Sequence, residues 1–412
     1  MKKRRVVVTG YGAVSSIGSG DSFKKNMLNG VSGIGRITRF DTSYFRTKVA
    51  GEVREFNPRE YFSDLLVDNT PLFGQYALRA AQLAMDMSGL VIDDSNRADI
   101  GVYAGSAMMA VETVEALSAF MNDQNIKILK RGSGAKAIHQ AAAIVLNKYF
   151  GTMGPCMTVT TACSSAMNAL NNAYRDIFLG NTRAAIVGGS DTFAKYSMYL
   201  LARESGMSVW EGDPSEASRP FDRDSAGWVI SEGGAYLVLE EAENARNRGA
   251  KILGEIKGMG ASCDITMLLE TDETGEGFSI AIGRALKDAE LAAEEIEFVN
   301  AHGPGIPAAD RCEANALKII FNESYCKIPV TSIKSIIGNP SAAAGIFQVI
   351  STLITFEEGV IPPTINFSAP LEGCEALNII TSPIKAKIQT ALVNCHAADG
   401  TNASAVMRKW MN

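Results

Sequence analysis

Short apolar runs alternate along the chain with Gly-rich turns and with segments in which small apolar residues recur at helical spacing. Short apolar runs bounded by turn residues predict buried strands, whereas the helical spacing predicts amphipathic helices. In the first half the predicted strands are Arg5–Thr9, Ile100–Ala104, Met157–Thr161 and Ala184–Val187, and the predicted helices are Asp21–Leu28, Tyr76–Ser88 and Ser164–Leu179. This alternation predicts an α/β fold.

A later part of the chain repeats this order of elements. Ile328–Ser332 predicts a strand, Lys334–Asn339 a short turn, and Ala342–Glu358 a helix rich in small residues. The pattern indicates an internal duplication whose halves meet near Glu240–Ile256. Any two strand–turn–helix units look about this similar, so chance similarity is an equally good interpretation.

Length, charge and cysteine content narrow the class of protein. The 412 residues can form two or three domains. The net charge of −6 argues against nucleic-acid binding. The apolar segments Val6–Val8 and Ala342–Phe356 are too short for a signal peptide and for a membrane span, respectively. We therefore expect a cytoplasmic protein whose seven cysteines are free thiols, with neither a disulfide framework nor a zinc site.

The segment Gly10–Ser15, with the sequence GYGAVS, follows the first predicted strand. Its two glycines resemble the start of a dinucleotide-binding turn. The third glycine of that motif is missing, and no strand ending in an acidic residue follows at the usual interval of about 20 residues. We interpret the segment as a tight turn between strand and helix, and cofactor binding is the weaker interpretation.

Cys163 lies in the sequence VTTACSSA, where a predicted strand turns sharply into a helix. The unpaired N–H groups and the dipole of a helix N-terminus favour the nucleophilic thiolate. The same N–H groups can stabilise an oxyanion on an attached acyl group. In this interpretation Cys163 reacts fastest of the seven thiols, because the helix lowers its pKa. A small buried cysteine without a chemical role fits the spacing equally well.

Three more segments place polar residues at strand ends or in turns. They are VNAHGPG with His302, SIKSIIGN with Lys334 and Asn339, and NCHAADGTN with His396 and Asp399. Loops at strand ends carry functional residues more often than other positions. A lone histidine is still more often structural than catalytic, so each segment alone is a weak signal.

Taken together and in this order, the segments resemble the β-ketoacyl-acyl-carrier-protein synthases, the condensing enzymes of fatty-acid and polyketide synthesis, most closely the synthase II type. The similar segments run the length of the chain: VVVTGYGAVSSIG (6–18), TACSSAMNAL (161–170), VGGSD (187–191), SRPFDRDSAGWVISEGGAYLVLEE (218–241), VNAHG (299–303), SIKS (332–335), VIPPTIN (360–366) and DGTNAS (399–404). The resemblance implies a thiolase-like fold of two similar α/β halves, here 1–253 and 254–412, in a five-layered α-β-α-β-α arrangement.

The resemblance also implies the roles of individual residues. Cys163 accepts the acyl group, His302 is the first active-site histidine, and Lys334 pairs with Glu313. The backbone N–H groups of Cys163 and Ala398 form the oxyanion hole. The substrates are carried on the phosphopantetheine of an acyl carrier protein, without a bound cofactor or metal. A malonyl thioester loses CO₂, and its carbanion attacks the acyl thioester on the cysteine.

Two departures from the family pattern fall in the site itself. Asn339 stands where the family has its second histidine, and an Asn amide can donate a hydrogen bond but cannot carry a proton. Ala398 stands where a Phe usually gates the acyl pocket, and His396 where another Phe is common. We expect an open gate at Ala398 and a polar contribution from His396 and Asp399, although His396 alone is as compatible with a structural role.

The expected partners follow from the same resemblance. The family usually dimerises, here as a homodimer or as a heterodimer with a ketosynthase-like subunit, with strand Ala184–Val187 pairing across the two-fold axis. Ser63–Asn69 is acidic and apolar where synthase II enzymes tend to be basic. A separate set of basic residues is the tentative carrier-protein site, with a solvated surface as the alternative. These residues are Lys127, Lys130, Arg131 and Arg203.

Two other activities stay open at this stage. A non-elongating acyltransferase would load Cys163 and pass the acyl group on without decarboxylation. A non-catalytic partner subunit of a ketosynthase heterodimer is the other alternative. The presence of Cys163 speaks against this partner role, because such subunits typically lack the nucleophile.

Overall fold

A computed structural model describes residues 4–108, 111–125, 127, 133–204, 206–267 and 270–411, with the side chains of 111–113 and 202–204 left outside the description. The strands are β1 Val6–Ser15, β2 Gly18–Ser19, β3 Gly35–Arg36, β4 Val49–Ala50, β5 Ile100–Gly105, β6 Cys156–Val159, β7 Ala184–Asp191, β8 Gly233–Glu241, β9 Gly254–Cys263, β10 Phe298–Asn300, β11 Pro329–Thr331, β12 Val360–Ile361, β13 Asn378–Ile379, β14 Ile384–Lys385, β15 Thr390–His396 and β16 Thr401–Lys409. The α-helices are α1 Asp21–Leu28, α2 Asp64–Asn69, α3 Leu72–Ser88, α4 Val111–Asp123, α5 Ser133–Ala137, α6 Ala141–Phe150, α7 Ser165–Leu179, α8 Lys195–Glu204, α9 Ala242–Asn247, α10 Glu276–Ala289, α11 Pro307–Phe321, α12 Lys334–Ile337 and α13 Ala344–Glu358.

One large sheet runs through the molecule in the order β13-β11-β10-β15-β16-β9-β1-β8-β7-β5-β6. Its two sides are joined where Val6–Val8 of β1 pair antiparallel with Gly254–Ile256 of β9. When the five main strands of each side are numbered in chain order, their order in the sheet is 3-2-4-5-1 on both sides. The five strands are β1, β5, β6, β7 and β8 on the first side and β9, β10, β11, β15 and β16 on the second. The chain therefore uses the same strand topology twice.

Helices cover these strands in layers. α7 contacts β5 and β7 of the first strand set and β9 and β16 of the second, and α13 contacts β15 as well as β8. Residues Ala344–Phe356 of α13 are buried on every side, because the helix is enclosed between the two strand sets. α3 covers β1 and β8 from one outer side, and α10 covers β9 and β16 from the other. Within the described residues, every helix is too short or too polar to span a membrane.

Two sequence-based expectations about local structure are wrong. Gly10–Ser15 is the second part of strand β1 and not a turn. Its glycines serve close packing, because a Cβ at Gly12 would lie 2.1 Å from the Ala80 carbonyl oxygen of α3, and one at Gly10 would lie 2.0 Å from that of Ala84. Lys334–Asn339 is also not a simple turn, since its first four residues form the short helix α12.

The expected dimer pairing through Ala184–Val187 is also wrong. Strand β7 lies inside the sheet, where β8 hydrogen-bonds one of its edges and β5 the other. A strand with both edges occupied has no backbone groups left for a partner chain. Among the described strands, β6 (Cys156–Val159) ends this side of the sheet, and its residues are only half-buried.

The close contact between β1 and α3 gives a stability prediction. Gly12→Ala places a methyl group against helix backbone that cannot move aside, and we expect a loss of about 1–3 kcal/mol or more in the free energy of unfolding. Gly134→Ala is the matched control, since Gly134 lies in α5 with no atom within 4 Å of an added Cβ. Helix propensity makes that change neutral or stabilising by up to about 1 kcal/mol. Urea unfolding followed by circular dichroism measures both, and equal stabilities of the two variants would contradict the packing argument.

Candidate active site

Cys163 lies in a tight elbow between β6 and α7. Ala162 has a φ of +42°, a left-handed conformation that a residue with a side chain rarely adopts. The elbow is held by its own backbone, because the N–H of Ser164 donates to Thr161 O at 3.0 Å and that of Ser165 to Ala162 O at 3.1 Å. This geometry leaves the Cys163 side chain partly accessible at the start of the helix.

The surroundings of Cys163 set the acidity of its thiol. Burial raises the pKa of Cys163, whereas the amide of Asn339 and the positive charge of Lys334 act to lower it. The net pKa is raised, contrary to the lowering expected from a helix N-terminus. Thiolate formation at Cys163 therefore depends on side chains that reach it from the second half of the chain.

His302 follows strand β10, and its peptide is held from both ends by buried charged groups. The carboxylate of Glu313 accepts the N–H of His302 at 3.0 Å and the N–H of Gly303 at 2.8 Å. Lys334 Nζ donates to the carbonyl oxygen of His302 at 2.7 Å. The expected direct pair of Lys334 with Glu313 is thus replaced by an arrangement in which the two charges act on one loop.

Burial sets the protonation of these groups. It lowers the pKa of His302 well below its usual range, and electrostatic interactions with Lys334 and then His396 lower it further. His302 is therefore neutral at physiological pH, with its buried Nδ1 lacking a hydrogen-bond partner. Burial likewise lowers the pKa of Lys334 and raises that of Glu313.

Two amides that the sequence analysis did not identify complete this framework. Gln348 Nε2 donates to the carbonyls of Ala301 at 2.7 Å and Asn394 at 2.9 Å, while its Oε1 accepts from Lys334 Nζ at 3.1 Å. Asn394 Nδ2 donates to Glu313 Oε1 at 3.0 Å. The sequence contained one signal for this framework. Gln348 lies inside the most apolar segment, and a buried polar side chain requires hydrogen-bond partners.

Asn339 is positioned by backbone pairing after α12. Its N–H donates to Val229 O at 2.7 Å, and its carbonyl accepts the N–H of Ser231 at 2.9 Å. The side chain points at the nucleophile, with Nδ2 3.5 Å from Cys163 Sγ. The Oδ1 atom of Asn339 is buried without a hydrogen-bond partner. Asn339 thus lies within hydrogen-bonding reach of groups attached to the sulfur.

His396 ends strand β15 beside His302. Its Nδ1 shares a hydrogen bond of 2.7 Å with Asn402 Oδ1, and its ring stacks on Phe278 with centroids 5.5 Å apart. The His302 and His396 rings meet edge to face at 6.1 Å. Ala398, two residues later, is exposed at the same pocket.

These residues surround one cavity of about 390 Å³. Its polar members from the sequence analysis are Cys163, His302, Asn339, His396 and Asp399, and its apolar walls include Met108, Leu201, Trp228, Pro304, Ile306 and Ala398. Lys334 and Glu313 lie behind the cavity and hold the His302 loop. An apolar cavity with a nucleophile and converging polar groups suits an acyl chain attached to the sulfur.

Asp191 at the end of β7 is a further residue that the sequence analysis missed. Its buried carboxylate accepts the N–H groups of Ala107 (3.2 Å), Met108 (3.1 Å) and Ala342 (2.9 Å). Burial raises the pKa of Asp191 to about 7. Through this carboxylate, the cavity wall at Met108 is fixed to the segment that follows Asn339.

The tentative carrier-binding residues are only partly described. Lys127 is exposed, and its backbone N–H donates to Asn125 Oδ1. Lys130 and Arg131 lie outside the described residues, and so does the side chain of Arg203. The carrier-binding assignment therefore stays a prediction.

Comparison with known families identifies the family of the chain. Residues 3–245 match the family described as Beta-ketoacyl synthase, N-terminal domain, and residues 253–368 match Beta-ketoacyl synthase, C-terminal domain. The chain belongs to the β-ketoacyl synthase family. The 3-oxoacyl-[acyl-carrier-protein] synthase 2 of Coxiella burnetii is 34% identical over 412 residues, covering 99% of each chain.

Solved structures of ketosynthases have the same architecture. The ishigamide ketosynthase/chain length factor superposes with a TM-score of 0.92 at 30% identity, over 99% of this chain and 100% of that one. AntDE, a type II polyketide ketosynthase in complex with its acyl-carrier protein AntF, gives a TM-score of 0.90 at 27% identity over the same shares. The expected thiolase-like α/β fold is confirmed, and the chain is a condensing enzyme of the acyltransferase class.

In this β-ketoacyl synthase site, thiol reagents of different shape should distinguish the cysteines. Cys263 and Cys326 are exposed, whereas Cys163 opens into the apolar cavity. We expect iodoacetamide to label the two exposed thiols first, and N-dodecyl iodoacetamide to shift labelling toward Cys163 by tenfold or more. Because its pKa is raised, labelling of Cys163 should also accelerate with pH, by up to about tenfold per unit below that pKa.

Peptide mapping after limited reaction measures both effects. Asn339→Ala removes the only side chain seen to donate to the sulfur among the described residues, and this variant should need a higher pH for the same labelling rate. An identical distribution of the two reagents over the three cysteines would contradict the assignment of Cys163 to the acyl cavity.

Proposed function

We propose that this β-ketoacyl synthase condenses an acyl group held on Cys163 with a malonyl group carried on the phosphopantetheine of an acyl carrier protein. The single observation that supports this most is the convergence of Cys163, His302 and Asn339 on one apolar cavity. The relative named 3-oxoacyl-[acyl-carrier-protein] synthase 2 supports the choice of carrier, as does the AntDE structure with its acyl-carrier protein.

In the loading step the Cys163 thiolate attacks the carbonyl carbon of the acyl-carrier thioester. The developing oxyanion would be stabilised by the backbone N–H groups of Cys163 and Ala398. The tetrahedral intermediate collapses with loss of the phosphopantetheine thiolate, which takes up a proton from solvent. The acyl chain then extends along the apolar cavity walls.

In the second step the malonyl thioester binds with its carbonyl oxygen near His302 and Asn339. Neutral His302 can donate one hydrogen bond and the Asn339 amide a second, so that the oxygen is stabilised as it gains enolate character. The carboxylate leaves as CO₂, and the carbanion attacks the carbonyl carbon of the acyl group on Cys163. The bond between this carbon and the sulfur then breaks, which regenerates the Cys163 thiolate and leaves the 3-oxoacyl product as a thioester on the carrier. Lys334 and Glu313 are positioning residues here, because they hold the His302 peptide without lining the cavity.

The segment 396–399, which departs from the family pattern, contributes two proposed features. Ala398 leaves the cavity entrance without the aromatic gate, and Asp399 lies exposed beside it. His396 is proposed as an auxiliary polar group, because its ring lines the cavity beside His302. The open gate at Ala398 would widen the range of acyl donors relative to a gated enzyme, whereas His396 would assist decarboxylation.

The proposed assembly is a dimer, either a homodimer or a heterodimer with a ketosynthase-like subunit. The ketosynthase/chain length factor structure supports a heterodimer, and strand β6 provides the sheet edge.

We further propose that the chain divides into the halves 1–253 and 254–412, which the repeated strand order supports. We also propose a cytoplasmic location, which the seven free cysteines support. Lys127, Lys130, Arg131 and Arg203 stay the proposed carrier contacts.

A non-elongating acyltransferase is the second candidate, and the amide of Asn339 is the observation that favours it. An amide stabilises an enolate less than a charged imidazolium does. Decarboxylation is therefore the step that Asn in place of His would slow or prevent. The partner-subunit alternative is weaker, since the nucleophile lies in an intact elbow.

The decisive experiment incubates the protein with malonyl-carrier protein, with and without an acyl-carrier donor, and measures CO₂ and product mass. We expect a product extended by two carbons, and acylated protein that Cys163→Ala abolishes. Asn339→Ala should slow decarboxylation by about 10²-fold, whereas Asn339→His should restore or exceed the rate, because an imidazole replaces the lost donor. Acylated Cys163 without CO₂ release would replace the condensation proposal with simple acyl transfer.

The open gate gives a separate prediction. Ala398→Phe should restrict the accepted donors to a narrower range of chain lengths, because a ring at this exposed position would occlude the cavity entrance. Ala398→Ser is the matched small control and should leave the range unchanged. Competition among donors of graded length, read by mass spectrometry of acylated Cys163, measures the range. Identical donor profiles for Ala398→Phe and the wild type would contradict the gate.

A further inference from the structure

Three side chains with metal-binding atoms lie together near the active site, and of these Cys312 and His396 are buried and Asp264 is half-buried. They are Asp264, which follows β9, Cys312 in α11, and His396 at the end of β15. One carboxylate oxygen, the sulfur and one ring nitrogen lie within 4.8 Å of one another. The mechanism proposed above uses neither Asp264 nor Cys312.

The hydrogen bonding of the Asp264 carboxylate is incomplete. Its Oδ1 accepts from Asn402 Nδ2 at 2.7 Å. Its Oδ2 is buried and has no hydrogen-bond partner. A buried carboxylate oxygen without a protein partner is costly, and a bound cation would remove that cost.

Asn402 connects two members of the cluster. Its Nδ2 donates to Asp264 Oδ1, and its Oδ1 shares a hydrogen bond with His396 Nδ1 at 2.7 Å. Partners of this kind, which orient a ligating carboxylate and a ligating histidine at once, are typical of the surroundings of metal ligands. The amide of Asn402 therefore fixes the positions of Asp264 and His396 relative to each other.

The local charge also favours a cation. The negative charges of Asp264, Glu313, Asp272 and Glu273 act on the Cys312 thiol. A dication would be surrounded by carboxylates, and the charges of one carboxylate and one thiolate would neutralise it. On binding, the Cys312 proton is released to solvent.

We propose that Asp264, Cys312 and His396 form a binding site for a divalent transition metal, with Zn²⁺ as the best-matched ion. One sulfur, one imidazole and one carboxylate are ligands that Zn²⁺ accepts in tetrahedral sites, with water as the fourth ligand. Bond lengths of about 2.0–2.3 Å place tetrahedral ligand atoms about 3.3–3.8 Å apart, so side-chain movements on the order of 1 Å close the site.

Such a site would connect three elements near the cavity. It ties the end of β9 to α11, which carries Glu313 beside Cys312, and to the loop that follows β15. It also fixes the His396 ring, which meets His302 edge to face. The metal would have a structural role, because it would join these elements beside the cavity, and it would take no part in the condensation.

The test uses the full chain with Cys163→Ala, so that the nucleophile and His302 cannot bind the ion together. Equilibrium dialysis with Zn²⁺ alone should give one ion per chain, and Co²⁺ alone should produce a near-ultraviolet sulfur-to-cobalt charge-transfer band. Adding Cys312→Ala should abolish the band and weaken Zn²⁺ binding by tenfold or more. Adding Cys374→Ala, which removes another buried thiol, should change neither.

The absence of both stoichiometric Zn²⁺ and the cobalt band in the Cys163→Ala protein would overturn the proposal. So would binding that persists unchanged after Cys312→Ala. Should Cys312→Ala fail to fold, the cobalt band in the protein that retains Cys312, together with its loss in His396→Phe, decides the matter. These readouts are independent of acyl transfer, so they stand whether or not the condensation proposal holds.

Discussion

The buried charges around the His302 peptide are the constraint on which the site depends. Burying Glu313 and Lys334 is costly unless each charge finds partners. Glu313 finds two backbone N–H groups and Lys334 finds a carbonyl of the same loop and Gln348 Oε1. Removing any one partner leaves a charge unsatisfied in the core, so the loop has a single well-defined position. A histidine on such a loop is positioned before substrate arrives.

The rest of the fold brings this loop to the nucleophile. Cys163 belongs to the first strand set, and His302 and Asn339 to the second, so the cavity exists only where the two sets face each other. The buried helix α13 separates them and contributes Gln348, whose amide bonds both the Lys334 side chain and the strand end before His302. Together with α7, this helix therefore lies between the two strand sets, and its Gln348 orients a positioning lysine.

Much of this arrangement could be predicted from the sequence. Helix α1 has the predicted bounds. Cys163, His302 and Asn339, which the sequence analysis named, all line one cavity, because short motifs at strand ends map onto converging loops. The apolar walls, such as Met108 and Leu201, were not predicted. The glycines of Gly10–Ser15 were misinterpreted, since close helix–strand packing and tight turns both need glycine. Only the contact with α3, far away in sequence, distinguishes the two.

The acidity of the Cys163 thiol shows a second limit of prediction from the sequence. A helix N-terminus in the sequence predicts a lowered pKa for Cys163, but burial of the thiol raises the pKa instead. That burial depends on residues that are distant in the chain, and the sequence does not reveal how closely they pack around the sulfur.

This acidity makes Asn339 more important than its neutral amide suggests. A buried thiol with a raised pKa needs a donor to stabilise its thiolate, and Asn339 Nδ2 is the side-chain donor 3.5 Å from the sulfur. Once the sulfur is acylated it no longer needs that hydrogen bond, so the same amide becomes available to the incoming malonyl thioester. One residue can then assist both half-reactions in turn. A charged histidine there would favour the second half-reaction more strongly, so in the proposed mechanism Asn339 favours holding the acyl-enzyme over the fastest decarboxylation.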